Sequence, residues 1–217
     1  MMMGGDGEGI AIPYIKKGLD AWWDGEWNIG LDNHDSSSRI WKNLVSSNNM
    51  TLNGSANFGE KSLIIPSMGI NVYASMDRID YPDNNVTLEV VFKAYTNNAQ
   101  SIFCFDKYGN GFMGIASRNS NRLVFRQYGP DVTHVFTQPI YCAYNYANDY
   151  IYINGEKVAS TGSGGSYGAI AHYGTSFYGG NNYYFSGEIF CVRLYKRVLS
   201  SAEIHKNYLI DKERFQL

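Results

Sequence analysis

Residues 150–159 read Tyr150-Ile151-Tyr152-Ile153-Asn154-Gly155-Glu156-Lys157-Val158-Ala159. Two short runs rich in β-branched and aromatic residues flank an Asn-Gly pair. A type I′ hairpin turn needs a positive φ at both central positions, and Asn-Gly supplies that at the least steric cost. The stretch therefore predicts a β-hairpin with arms at 150–153 and 156–160. A lone hairpin is marginal in water, so this one calls for a sheet around it.

Outward from the hairpin, strand signals recur about every ten residues with turn residues between them, the spacing of a sandwich or barrel and not of βαβ units. Predicted strands are 18–24, 62–65, 85–93, 101–106, 112–117, 122–128, 133–138, 141–145, 176–178 and 186–195, and Tyr108-Gly109-Asn110-Gly111 reads as another hairpin turn. In 86–92 the set Val86, Leu88, Val90, Phe92 shares one face and Thr87, Glu89 the other, the pattern of a half-buried antiparallel strand. In the last strand Phe190, Val192 and Leu194 are expected to face inward, with Cys191, Arg193 and Tyr195 opposite and Arg193 pairing across the sheet. Ser200-Ser201-Ala202-Glu203 matches a capping box, and Ile204, Tyr208 and Leu209 follow at helical spacing, so a short helix closes the domain.

Composition agrees. The 217 residues include 23 Gly, 18 Tyr, 11 Phe and 4 Trp, which suits short strands and tight turns. With 44% hydrophobic and 18% charged residues the chain has the side chains for one core, and the reading is a flexible segment at 1–13 followed by one domain at 14–217. Eighteen Lys and Arg stand against 20 Asp and Glu with no basic run, which excludes a nucleic-acid partner bound through phosphates. No apolar run reaches the roughly 18 residues of a span and the N-terminus lacks a signal-peptide pattern, so a soluble protein without membrane insertion is expected. Cys104, Cys142 and Cys191 are odd in number and lack C-x-x-C spacing, and are read as buried thiols. The glycine-rich 161–166 lacks phosphate-loop spacing and reads as a surface loop.

Several segments together resemble a known family. Gly18-Leu19-Asp20-Ala21-Trp22-Trp23-Asp24-Gly25, Ile40-Trp41-Lys42-Asn43-Leu44, Leu52-Asn53-Gly54, the 150–158 hairpin and the run from Phe185 to Ile204 look, in this order, like laminin-G-like domains of the concanavalin A-like lectin and glucanase superfamily. The form they resemble is common in bacterial surface and bacteriophage structural proteins, and the ending 207–215 looks like the tails of such domains. The resemblance implies an all-β, antiparallel two-sheet sandwich of jelly-roll type with a short C-terminal helix. Many laminin-G-like domains bind one calcium at the sandwich rim, and the resemblance places that site on Asp106, with Asn110 and Asp131 as further oxygens.

Glucanases of this superfamily alternate two glutamates and an aspartate along one strand so that the carboxylates share a face. This sequence has no such run: Asp77, Asp80 and Asp83 have the wrong period and surround a turn. His34, His134, His172 and His205 have no ligand spacing, and no Gly-x-Ser-x-Gly elbow occurs. The chain is therefore expected not to be an enzyme. A sugar binder needs aromatic faces beside amides and carboxylates. Trp22, Trp27, Tyr128 and Tyr144 are the candidate carbohydrate-binding residues. If Leu19, Ala21 and Trp23 face the core, Trp22 and Asp20 face away from it, onto either a ligand or a covering loop. The expected function is non-catalytic recognition of a carbohydrate or cell-surface polymer, in a phage particle or at a bacterial cell surface. A structural virion fibre or decoration protein, contacting other virion proteins or its own copies, is the alternative, and a glycoside hydrolase or lyase the third.

Overall fold

The computed structural model describes residues 13–67, 72–76, 85–95, 100–104, 112–115, 122–124, 131–133, 138–145, 147–148, 150–160 and 185–217. The strands are β1 Leu19–Asp24, β2 Ile40–Trp41, β3 Met50–Asn53, β4 Asn57–Phe58, β5 Leu63–Ile65, β6 Tyr73–Ser75, β7 Thr87–Ala94, β8 Gln100–Cys104, β9 Phe112–Ile115, β10 Arg122–Val124, β11 Asp131–Thr133, β12 Ile140–Asn145, β13 Tyr150–Ile153, β14 Glu156–Ser160 and β15 Gly187–Tyr195. One helix, α1, spans Ser201–Phe215. Every pairing is antiparallel. The main sheet runs β14-β13-β12-β7-β15-β5-β4, a second runs β11-β10-β9-β8, and a third runs β2-β3-β6. β1 pairs the C-terminal half of β15 while β5 pairs its N-terminal end. This is the expected antiparallel sandwich with its closing helix. The predicted 176–178 strand, the 108–111 turn, the 161–166 loop and the 77–83 aspartates lie outside the described residues.

The hairpin forms as read: Asn154 has φ 48° and Gly155 φ 79°, and β13 pairs β14. A Cβ on Gly155 would lie 2.6 Å from Tyr208 Cδ1, so this turn also meets the helix. Gly155→Ala is expected to destabilise by about 1–2 kcal/mol from the left-handed backbone alone. The clash with Tyr208 adds to that, and thermal melting should fall by at least a few degrees.

The main sheet is buried on both faces. Leu88, Val90 and Phe92 of β7 join Val86, Ala21, Trp23, Ile151, Val192 and Leu194 in one core, which also takes Trp41, Met50, Leu52 and Ala74 from the third sheet. The opposite face carries Trp22, Val91, Tyr141, Tyr152, Cys191 and Tyr195 beneath Tyr14, Leu199 and the helix residues Ile204 and Phe215. The half-buried strand expected at 86–92 is thus buried throughout, Thr87 and Glu89 included. Two register shifts also change the predicted faces. In β15 the register jumps between Ile189 and Cys191, so Phe190 is the extra residue of a bulge and packs on the helix side. In β1 the shift lies between Leu19 and Ala21, and it puts Leu19 on that side too. Cys142 and Cys191 are buried free thiols, as expected.

The capping box is complete: the Ser200 hydroxyl accepts from the Glu203 N–H, and the Glu203 carboxylate accepts from the Ser200 N–H at 2.9 Å. Arg197 grips the same carboxylate at 2.7 and 2.9 Å, and this pairing holds the Glu203 carboxyl at about 2, below its ordinary 4.5. A depressed carboxyl stabilises the fold above its unfolded value and loses that contribution as pH falls through the folded one. The stability gap between wild type and Glu203→Gln, measured by urea unfolding, is expected to be widest at neutral pH and to close between about pH 4.5 and 2. Among the described residues no helix is long and apolar enough to cross a membrane.

Candidate functional site

Helix α1 lies on the main sheet through an ionic centre. Its buried residues are Ile204, Asn207, Asp211 and Phe215, so apolar contacts hold the two ends and polar side chains the middle. Arg193 on β15 sits opposite Glu89 on β7, where its Nε donates to Glu89 Oε2 at 2.6 Å. Its Nη1 donates to Asp211 Oδ1 at 3.1 Å and its Nη2 to Asp211 Oδ2, a two-pronged grip on the helix. Tyr141 donates to Glu89 at 2.5 Å, Tyr14 donates to Asp211 at 2.5 Å, and the Asn207 amide donates to both Glu89 oxygens and to Tyr195. Further along, Arg214 forks onto Asp24 at 2.7 and 3.0 Å and reaches Glu26 at 2.9 Å.

Burial pushes the Glu89 and Asp24 carboxyls above their ordinary range, against the opposing pull of Arg193 and Arg214 respectively. Burial, with Asp211 beside Tyr14 and Glu89 beside Tyr141, also raises the two phenols, so both keep their protons and act as donors. Every oxygen of Glu89, Asp24 and Asp211 meets donors. These three carboxylates are buried and satisfied, and are not offered to a substrate.

Trp22 and Tyr144 do not line a binding surface: they are 0% and 1% exposed. The face to which alternation sends Trp22 is covered by Tyr14 and Trp27, whose rings meet it edge-on at 5.1 and 5.6 Å. Its indole N–H donates to Asp24 at 3.2 Å. Tyr144 points into the opposite core. Trp27 is half-buried, with the Arg214 guanidinium 4.0 Å over its ring. Tyr128, Asp106 and Asn110 lie outside the described residues. Asp131 opens β11, at the end of its sheet where β8 leads out and β9 returns. Among the described residues no group of three His, Cys, Asp or Glu is placed to hold a metal ion.

The feature missed in the sequence is a groove of about 400 Å³ beside the start of α1. It is lined by Asn145, Asn148, Tyr150, Tyr152, Val198, Leu199, Ser200 and Ser201. Asn145 closes β12 and its amide donates to the Leu199 carbonyl at 2.9 Å, while the Leu199 N–H donates to the Thr87 hydroxyl at 2.9 Å. These bonds fix the 198–201 segment against the sheet. The Tyr152 hydroxyl lies 3.1 Å from Ser201 Oγ, and Asn148 and Ser201 are exposed. Only the Asn145-x-x-Asn148-x-Tyr150 spacing hinted at it, and that spacing is ordinary for a turn.

Residues 69–205, more than half of the chain, match the family model described as the concanavalin A-like lectin/glucanases superfamily. The chain belongs to this superfamily. No curated protein matches it. Among solved structures, Trypanosoma rangeli sialidase in complex with the inhibitor DANA is 14% identical with a TM-score of 0.66, over 90% of this chain and 33% of that one. A mutant of the same sialidase displaying trans-sialidase activity gives 14% and 0.62 over the same shares. Botulinum neurotoxin type C, whose cell entry depends on two ganglioside molecules, gives 10% and 0.61 over 89% of this chain and 51% of that one. The chain thus spans about a third of the sialidases it matches. These matches overturn the expected phage or bacterial-surface recognition module and its virion-fibre alternative. The superfamily fold recurs here as one part of longer sialidase and trans-sialidase chains.

Proposed function

We propose that this superfamily domain engages glycans as one part of a glycan-processing protein, and that the bond-breaking chemistry belongs to another unit. The observation that carries the reading is the fold match to a third of a sialidase chain. Support comes from the neighbours' ligands, sialic acid in one structure and gangliosides in another. The carboxylates Glu89, Asp24 and Asp211 fit this reading, because all three are spent on arginines beneath α1. Trp27 and Tyr128 are the aromatic residues proposed for sugar contact at the loops, and calcium is proposed on Asp106, Asn110 and Asp131.

The test is a glycan array probed with the full chain, run with calcium and with a chelator, beside an assay for release of sugar from the bound glycans. Binding without release is the expected result, and loss with chelator would support the calcium site. Absence of binding to every glycan would overturn the reading, and release of sugar would place the chemistry in this domain.

A further inference from the structure

We infer that the groove between the β12–β13 turn and the start of α1 is a binding site for a single uncharged sugar unit; the inference rests on the glycan reading above. Its volume of about 400 Å³ falls within the range of about 300–1,000 Å³ typical of small-ligand sites. That is room for one sugar ring.

Its lining is chemically uniform. Six of the eight lining residues, two asparagines, two tyrosines and two serines, carry neutral hydrogen-bonding groups, Val198 and Leu199 supply apolar surface, and none of the eight is charged. Among the described residues, the Lys157 ammonium is held 3.2 Å over the ring of Tyr150, itself a lining residue, and Arg197 and Glu203 pair with each other at 2.7 Å. A helix start ordinarily favours an anion, but Glu203 in the first turn of α1 already supplies that charge. Hydroxyls of a neutral sugar therefore match the groove, whereas the carboxylate of an acidic sugar would meet no free cation among the described lining residues.

The floor is preformed. Asn145 is buried, with its amide committed to Leu199 and its carbonyl oxygen 2.6 Å from the Thr87 hydroxyl. Asn148 and Ser201 are both exposed; Asn148 can be changed without disturbing a core contact, whereas a change at Ser201 gives up its 3.1 Å contact with the buried Tyr152 hydroxyl.

The experiment is an NMR titration of the full chain with neutral methyl hexosides and, separately, with the methyl glycoside of a sialic acid. It is repeated for Asn148→Ala and for Ser201→Trp, which fills the mouth. Asn148→Ala should melt with the wild type, and the melting of Ser201→Trp, which also loses the contact with Tyr152, is recorded beside its binding so that loss of the groove is told from loss of the fold. The expected result is a shift of the Asn148 side-chain amide signals with neutral hexosides, insensitive to salt. Affinity should fall about three- to tenfold in Asn148→Ala, the worth of one neutral hydrogen bond, and binding should be lost in Ser201→Trp. Binding of the acidic glycoside alone, fading as ionic strength rises, would overturn the uncharged class and leave the glycan reading standing. Hexoside binding unchanged in both variants would overturn the groove, again leaving that reading. No shift with any glycoside would overturn the groove too, and a glycan array equally empty would remove the reading beneath it.

Discussion

Arg193→Met is expected to lower the stability of the domain by about 3–5 kcal/mol, read as a shift of the urea midpoint. The guanidinium is the cation shared by Glu89 and Asp211, and all three side chains are at most 1% exposed. Removing it leaves two buried carboxylates with phenol and amide donors but no counter-charge, and helix α1 loses the contact at its middle. The triple variant Arg193→Met, Glu89→Met, Asp211→Leu should recover most or all of the loss, because apolar groups of similar volume do not have to be desolvated as ions. A single variant that unfolds with the wild type would show that the ion pairs are energetically neutral. Acid is not expected to mimic the single variant through Glu89 or Asp24. Burial holds both carboxyls above their unfolded values, so protonation as pH falls favours the folded state. Among the described residues, an acid-labile contribution lies instead with Glu203, whose carboxyl Arg197 holds low.

Trp22→Ala should cost about 3–5 kcal/mol, the range for deleting a large buried aromatic. The ring is fully buried between Tyr14 and Trp27, and its N–H is one of the donors to Asp24. The variant removes packing and a donor together, which also frees Arg214 from part of its frame around Asp24 and Trp27. Trp22→Phe keeps most of the ring area but not the N–H, and should cost less than half as much. Equal losses in the two would assign the effect to the hydrogen bond. In either case a change at Trp22 reports on the fold, so it is unsuited as a probe of sugar binding.

How far the sequence reaches is visible in particular residues. The Asn154-Gly155 turn, the Ser200–Glu203 capping box and the alternation in β7 were legible because each depends on neighbours a few residues away. The short strands β2, β3, β4 and β6 left no period long enough to read, and their pairings, such as Trp41 with Met50, Thr51 with Ser75 and Phe58 with Leu63, are set by the structure. The bulge at Phe190 reversed a predicted face because a one-residue slip is invisible until a partner strand fixes the register. The helix shows the same limit. Its sequence suggested an apolar face at Ile204, Tyr208 and Leu209, yet Leu209 is 49% exposed, whereas Asn207 and Asp211 are fully buried.

The sequence by itself determined the class of fold, the position of the hairpin and the closing helix, and the membership of Trp22 in the face opposite Trp23. What tertiary structure alone decided is that this opposite face is a second interior. Alternation says which side chains share a face; it carries no information on whether water, a ligand or another element covers it. Here Tyr14, Ile15 and α1 cover it, joined through Tyr14 to Asp211 and Ile15 to Asn207, contacts 197 and 192 residues apart along the chain, and so Trp22, which read as a binding candidate, became core. The groove has the same origin. It exists because Asn145 and Thr87 hold the 198–201 segment beside the β12–β13 turn, a juxtaposition of distant segments that local sequence cannot encode.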